Sequence, residues 1–344
     1  MPKYIALFPF DSYWWFYPSF SVFVLLLLLV DLGVFHRKAH SVSLKEAGIW
    51  SAVWASLAAL FNVALYFYAA WRLPQVERLT SSPGFDAALA AKRVSLEFLA
   101  GYIVELSLSV DNLFVFIVVF NFFAIPAAYQ HRILFYGILG AIILRGVFIA
   151  VGTALMQIHW IIYVFGGFLL VTGIRMMFAD DKEIDPDRNP VIRLFKRWMP
   201  VTTTFEGQRF FVKVNGVLHA TPLLVTLLFV EMTDVVFAVD SVPAILALTR
   251  EPLIVFTSNV FAILGLRSMY FLLAGAADKF HLLKYGLAIV LIFVGLKMVW
   301  LNQAFGGQFP IGWSLTIIAV VIGGSVVLSL LVPKRQEELV APRK

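Results

Sequence analysis

Long apolar runs dominate the sequence. Nine of them have about the 20 residues that an α-helix needs to cross the hydrocarbon core of a bilayer. They cover residues 15–35, 47–70, 97–120, 132–155, 160–178, 221–248, 252–275, 281–301 and 311–332. Only 14% of the residues are charged, whereas an ordinary soluble domain has about 25%. The sequence therefore predicts an all-α membrane protein with about nine transmembrane helices.

The basic residues are divided unevenly between the two sides of these spans. Seven Lys and Arg lie on the side of the N-terminus and eighteen on the opposite side, while Arg145 and Arg267 fall inside spans. Cytoplasmic loops of membrane proteins contain the larger share of Lys and Arg. We therefore expect a periplasmic N-terminus and a cytoplasmic C-terminus. The net charge of +6 is explained by these loops and does not indicate a nucleic-acid partner.

Several classes of chemistry find no support in the sequence. The chain has no cysteine, which excludes disulfides, iron–sulfur clusters and thiolate zinc sites. It has no P-loop and nothing that resembles a hydrolase triad or a haem site. We expect neither an enzyme nor a prosthetic group, and we assign no catalytic and no cofactor-binding residue.

The chain contains two related segments. Arg145 matches Arg267 and Gly173 matches Gly295, both at an offset of 122 residues. Further upstream the offset is 129 residues, and it relates an E-x5-DN pattern to a D-x5-DS pattern. Each copy has three spans, and an odd number of spans forces the two copies into opposite orientations. Inverted repeats of this kind are typical of transporters, which bind their substrate where the copies meet.

These features divide the chain into five parts. They are an N-terminal two-helix segment (1–96), a first three-helix repeat (97–178), a cytoplasmic loop (179–220), a second three-helix repeat (221–301), and a last helix with a cytoplasmic tail (302–344). Within the loop, NPVIRLFKRWMP predicts a short amphipathic helix on the inner membrane surface. FFVKVNGVLHA predicts a hairpin that turns at Asn215–Gly216.

The first span of each repeat contains acidic residues. VELSLSVDNLFVF and VEMTDVVFAVDSVPA together place five carboxylates in the predicted membrane. A charged side chain at mid-helix costs ~2.5–3.5 kcal/mol and usually marks an ion or proton pathway. Pairing with the two arginines inside the spans is the alternative, but it leaves three acids over, and this surplus favours a bound cation. The candidate metal ligands are Glu105, Asp111, Asn112, Glu231, Asp234, Asp240 and Ser241, with Arg145 and Arg267 as charge partners.

The spacing of these acids makes a prediction about the helices. On an unbroken helix Glu105 and Asp111 point about 120° apart, so we expect both acid-bearing helices to be locally unwound. Pro243 gives a reason in the second copy, because it cannot donate a hydrogen bond to the carbonyl of Val239. All the candidate ligands are oxygens, which suit Mg²⁺, Ca²⁺ or Mn²⁺ better than Cu⁺ or Zn²⁺.

The two acidic stretches, with YQHRILFYGILGAIILRG and SNVFAILGLRSMYFLLAG, closely resemble the TerC family over roughly residues 45–332. The resemblance implies a multi-pass protein of the bacterial inner membrane and a role in manganese export, with Mn²⁺ as the substrate. The same seven candidate ligands are the family's acidic motif positions. Implied partners are the lipid bilayer, the divalent metal ion, protons and exported metalloenzymes. Tellurium resistance and a redox role are also attached to the family.

A different class of function remains open. The protein could be a membrane scaffold, or a stress-response protein for tellurite or alkaline conditions, without transport activity. In that case the 179–220 loop would be its docking surface. The repeat and the surplus of buried acids favour transport.

Overall fold

The computed structural model describes residues 6–30, 43–155, 159–178, 197–202, 205–274, 282–305 and 309–332. The helices of the first half are α1 Phe10–Tyr13, α2 Phe16–Val30, α3 Leu44–Arg72, α4 Glu77–Thr80, α5 Ala87–Phe122, α6 Ala127–Leu155 and α7 His159–Phe178. The second half has β1 Phe211–Val214, β2 Val217–Ala220, α8 Pro222–Leu246, α9 Pro252–Leu264, α10 Leu266–Ala274, α11 Leu283–Leu296, α12 Asn302–Ala304 and α13 Ile311–Leu331. A 3₁₀ turn over Leu73–Gln75 follows α3, and a π-helical turn over Lys297–Leu301 follows α11.

Most of these helices are suited to a bilayer. Among the described residues, six helices are long and apolar enough to cross a membrane, and a seventh span results if the bent pair α9–α10 counts as one. The other two predicted spans correspond to α2, described over 15 residues, and α5, with 36 residues. The structure therefore confirms a polytopic helical protein, and the total of nine spans stays a prediction. The helix α5 begins at Ala87, earlier than the predicted start of the first repeat at residue 97.

Local sequence signals explain where several helices begin. The Ser43 hydroxyl accepts a hydrogen bond from the Glu46 amide at 3.2 Å and caps α3. Both α8 and α9 start with proline, at Pro222 and Pro252. Proline favours the first helical position because its missing N–H would have no partner inside the helix there. Between α9 and α10 the chain bends by 41° at Gly265.

A cluster of phenylalanines joins the N-terminal helices to the body of the protein. The ring centroids of Phe61 on α3 and Phe261 on α9 are 4.8 Å apart, and those of Phe61 and Phe98 on α5 are 5.3 Å apart. Phe20 on α2 lies 5.6 Å from Phe61 and 5.9 Å from Phe256. Aromatic pairs at these distances add packing energy beyond the area they bury, so α2 and α3 are held firmly against α5 and α9.

Glycines allow α7 and α11 to approach closely. A Cβ atom at Gly173 would lie 2.8 Å from the carbonyl oxygen of Ala288, and a Cβ atom at Gly295 would lie 2.8 Å from that of Gly166. No side chain fits at such distances, so the backbones are in direct contact, as at other small-residue interfaces between membrane helices. Gly166, Gly173 and Gly295 therefore serve helix packing.

The predicted hairpin is present. β1 and β2 pair antiparallel, and the turn residues Asn215 and Gly216 have φ of 51° and 81°, which is typical of the type I′ turn that Asn-Gly favours. At its base, Phe210 packs edge-on against Tyr136 of α6, and the Arg132 guanidinium lies 5.0 Å from the Phe210 ring centroid. Residues 179–196, with most of the predicted amphipathic helix, lie outside the described residues.

Candidate functional site

The candidate site lies where four helices meet. α5 packs against α8 and α9, and α6 packs against the same two helices. Glu105 is on α5, Arg145 on α6, Glu231 and Asp234 on α8, and Asn259 on α9. The first helices of the two predicted repeats are therefore in contact, and each of the four helices contributes a polar side chain.

An ion pair between Glu105 and Arg145 forms one side of the site. Both residues are almost completely buried. The Ser109 hydroxyl donates a hydrogen bond of 2.9 Å to Oε1 of Glu105. Arg145 Nη1 also donates to the hydroxyl of Ser241 at 3.1 Å and to the amide oxygen of Asn259 at 2.9 Å. This guanidinium therefore connects α6 with α5, α8 and α9.

Two more acids, Asp234 and Glu231, lie on α8. We call Glu105, Glu231 and Asp234 together the acidic group. Asp234 is only 6% exposed, and it lies within electrostatic range of both Glu105 and Arg145. Glu231 lies within electrostatic range of Asp234. No hydrogen bond or ion pair joins the Asp234 carboxylate to another described residue. Three carboxylates and one guanidinium thus share this region of the described structure, which leaves a negative excess.

Two carboxylate oxygens in this group have an unsatisfied hydrogen-bonding capacity. Oε2 of Glu105 and Oε2 of Glu231 are buried and have no hydrogen-bond partner among the described atoms. A buried polar atom without a partner is rare in native structures, because leaving it unsatisfied costs free energy. Both oxygens therefore have lone pairs that a proton or a cation could use.

A glycine makes room for the Glu231 carboxylate. A Cβ atom at Gly140 on α6 would lie 2.1 Å from Oε1 of Glu231 and 2.3 Å from its Cδ. Any side chain at this position would displace the carboxylate. Gly140 is thus a packing position, and the side chain that packs against it is an acid of the site.

The predicted unwinding of the acid-bearing helices is wrong. α5 is continuous from Ala87 to Phe122, and α8 continues through Pro243. The expectation assumed that all the acids of one helix face one point. Neighbouring helices instead supply the facing groups, so Glu105 meets Arg145 of α6 without any break in α5.

The structure brings together only part of the predicted ligand set. Glu105, Asp234 and Ser241 lie around Arg145, Glu231 lies near Asp234 on α8, and Asn112 is buried on α5. Asp111 and Asp240 lie on the backbones of α5 and α8, but their side chains are outside the described part of the structure. Among the described side chains, no three acidic or histidine groups are close enough to hold a metal ion. Arg267 is buried at the start of α10.

Sequence reasoning missed Ser109 and Asn259. Ser109 follows Glu105 by four residues, so the two share a helix face, and this spacing was a usable signal. Asn259 is completely buried in an apolar run, and a buried amide there was also a signal. What the sequence could not provide was the choice of Arg145, rather than Arg267, as the group that Asn259 contacts.

Comparison of the sequence with known proteins shows which family the chain belongs to. Residues 90–337 match the model of the integral membrane protein TerC family. The chain belongs to the TerC family. A relative from Myxococcus xanthus, described as an uncharacterized membrane protein, is 48% identical over 314 residues, which cover 91% of each chain. Alx of Escherichia coli K12, described as a proposed membrane-bound redox modulator, is 44% identical over 323 residues, covering 93% of this chain and 95% of Alx. No solved structure matches the chain.

Proposed function

We propose that this TerC-family protein exports a divalent metal ion, Mn²⁺, across the bacterial inner membrane. The observation that supports this most is the acidic group around Arg145. It has three carboxylates for one guanidinium among the described side chains, and two buried oxygens have no partner. Burying ionised carboxylates without compensation is costly. A cation that enters the site, or a proton that replaces it, would remove that cost.

The chemistry of the donors favours a hard cation. The side chains that meet here offer carboxylate, hydroxyl and amide oxygens, and this set suits Mn²⁺, Mg²⁺ or Ca²⁺. Mn²⁺ is the member of this class that the resemblance to the TerC family implies. Asp111 and Asp240 would complete the ligand set, since each follows Glu105 or Asp234 by six residues in the same helix.

The packing of the helices supports an inverted repeat. At the offset of 122 residues, Gly173 corresponds to Gly295 and Gly166 to Ala288. The contact of Gly173 with Ala288 therefore maps onto the contact of Gly295 with Gly166, and both have the same 2.8 Å separation. A two-fold axis between α7 and α11 would produce this reciprocity. The pairing of α5 with α9 and of α6 with α8 also fits such an axis.

Proton exchange is the coupling that this site would support. When the metal ion leaves, surplus carboxylates in a poorly solvated site must be neutralised by protons. When the metal ion enters, those protons are released. With a periplasmic N-terminus, a cytoplasmic C-terminus and all nine predicted spans in the bilayer, an inward proton gradient would drive the metal out. The 36 residues of α5 would measure about 54 Å, ample for a core of about 30 Å.

Transport measurements on two variants test the proposal. The protein is reconstituted into liposomes, and Mn²⁺ movement is followed with an internal dye, with Mg²⁺ and Ca²⁺ as comparison ions. We expect Asp234→Asn to reduce Mn²⁺ transport by about tenfold or more, while the amount of folded protein in the membrane is unchanged, because no described ion pair is lost. Glu206→Gln, an exposed acid of the loop before β1, is the matched control and should transport normally.

Glu105→Gln separates metal binding from structural pairing. This change replaces the ion-pair partner of Arg145 by a neutral amide, so the buried guanidinium keeps only neutral hydrogen-bond acceptors. Breaking a buried pair in this way costs ~3–5 kcal/mol, so we expect less folded protein as well as lost transport. If Asp234→Asn transports Mn²⁺ normally, this acidic group is not the substrate site. If the wild-type protein moves no divalent ion, the scaffold or stress-response alternative is favoured.

A further inference from the structure

A second polar region lies away from the acidic group. It is a cavity of 410 Å³, in the size range of small-molecule sites. The cavity is bounded by the first turns of α5, the connection between α8 and α9, the π-helical turn after α11 and the start of α13. By the predicted topology, all of these belong to the periplasmic side. We call it the basic cavity, because the charged residues that line it are Lys92, Arg93, Arg250, Lys297 and Glu97.

The one acid that lines the basic cavity is fully engaged. Oε1 of Glu97 accepts a hydrogen bond of 2.6 Å from Nε of Arg93. Its other oxygen, Oε2, accepts a hydrogen bond of 2.5 Å from the hydroxyl of Thr249. Glu97 is 2% exposed, so these two contacts fix it in place. With four basic residues and one acid in the lining, the cavity has a clear excess of positive charge.

Lys297 is the unusual member of this group. It lines the basic cavity, it is only 3% exposed, and no described atom forms a hydrogen bond or an ion pair with its ammonium. Glu97 attracts it and Arg93 repels it, both through space. A buried ammonium is costly unless it is paired. Lys297 also begins the π-helical turn, and π-helical turns occur frequently at functional sites.

The remaining walls of the basic cavity are apolar. They include Leu89, Leu96, Leu248, Phe309 and Ile311. A site that combines buried cationic donors with apolar walls is suited to a ligand with an anionic group attached to carbon. The positive excess would repel a divalent cation, so the basic cavity is not an extension of the acidic group around Arg145.

We propose that the basic cavity binds a phosphate group, with Lys297 as its buried partner and Arg93 and Arg250 at its rim. Arginine and lysine together are the usual donors to phosphate oxygens, arginine through two parallel N–H groups and lysine as a point charge. The phosphate can come from two sources: the headgroup of an anionic phospholipid, or a soluble phosphate. Anionic lipid headgroups bind in basic pockets between transmembrane helices elsewhere.

Thermal unfolding of the purified protein tests the proposal and identifies the source. The melting temperature is measured in neutral detergent with added inorganic phosphate, with added phosphatidylglycerol, and with chloride or phosphatidylcholine at matched ionic strength. A ligand that binds only the folded state raises the melting temperature by an amount that grows with its concentration relative to Kd. A rise with phosphatidylglycerol alone indicates a lipid headgroup, and a rise with inorganic phosphate indicates a soluble ligand.

Two variants locate the site. We expect Lys297→Met to bind the phosphate ligand about tenfold more weakly, since it loses the charge-assisted hydrogen bond, while its melting temperature without ligand does not fall. Lys213→Met, on the exposed strand β1, should respond like the wild type. If Lys297→Met does not fold, Arg250→Gln at the exposed rim replaces it, with the same expectation. The proposal is overturned if neither phosphate source stabilises the wild type beyond its control, or if the cavity variants respond like the wild type. Mn²⁺ is absent from these measurements, so their outcome does not depend on the transport proposal.

Discussion

Adding one methyl group at Gly295 tests the close contact of α7 and α11. A Cβ atom there would lie 2.8 Å from the Gly166 carbonyl oxygen and 2.9 Å from the Leu170 amide nitrogen. Ordinary contacts begin near 3.4 Å, so the helices must separate by about 0.6 Å. Overpacking of this kind costs ~1–3 kcal/mol. Alanine regains up to ~1 kcal/mol of helix propensity, which lowers the expected net loss to about 2 kcal/mol at most.

Gly167→Ala is the matched control, because a Cβ atom at Gly167 would meet nothing within 4 Å. This variant has only the gain in helix propensity. The two proteins are purified in the same detergent and unfolded by heating. We expect Gly295→Ala to melt several degrees below the wild type and Gly167→Ala to melt at or above it. A melting temperature of Gly295→Ala equal to that of Gly167→Ala would refute the close contact.

Gly173→Ala extends the test to the reciprocal contact with Ala288. We expect a loss similar to that of Gly295→Ala, because the separation is the same. One outward shift of α11 relieves both collisions, so the double variant should lose less than the sum of the single variants, by ~0.5 kcal/mol or more. Strict additivity would show that the two contacts are independent.

Three further changes test other parts of the structure. Gly140→Ala should displace the Glu231 carboxylate and reduce Mn²⁺ transport, while the amount of protein in the membrane stays unchanged. Gly146→Ala on the same helix is the control, because its Cβ would lie 3.8 Å from the nearest neighbour, and it should transport normally. Gly216→Ala forces a side chain into φ of 81° at a cost of ~1–2 kcal/mol, and should speed amide hydrogen exchange in β1 and β2; unchanged exchange would contradict the turn. The buried Glu251 carboxylate accepts hydrogen bonds of 2.6 and 3.1 Å from the amides of Leu7 and Phe8. Glu251→Gln should weaken these bonds and speed hydrogen exchange of the two amides, while exchange in the β1–β2 hairpin stays unchanged as the control.

Much of the fold could be predicted because it follows from local features. A run of about 20 apolar residues can satisfy its backbone in a bilayer only as a helix, so the helices at 132–155, 160–178 and 311–332 were predictable nearly to their ends. The Asn215–Gly216 turn was predictable because few other residues adopt positive φ twice in succession.

The candidate site was predictable in composition and not in arrangement. The positions of Glu105 and Asp234 inside apolar runs identified them as functional candidates, because burying a charge is costly whichever residues surround it. The partner of Glu105 depends on how α5 and α6 cross, which no local pattern determines. The same lack of information led to the wrong expectation of unwound helices. Convergence can come from one bent helix or from several straight ones, and only the packing distinguishes the two.

Under the export proposal, the bend at Gly265 indicates how the site would be exposed to each side of the membrane in turn. The middle segment of the second repeat is bent by 41° between α9 and α10, while its counterpart in the first repeat, α6, is one continuous helix. Under the inverted-repeat proposal, each repeat can adopt the conformation that the other has here. A bent α9–α10 with a straight α6 is then one of two symmetry-related states of the protein. In the other state the two repeats would exchange these conformations: residues 252–274 would straighten, and α6 would bend near Ile143. Ile143 is the position that corresponds to Gly265 at the offset of 122 residues. Arg145, two residues further on, would move with that bend, and its contacts with Glu105, Ser241 and Asn259 would change.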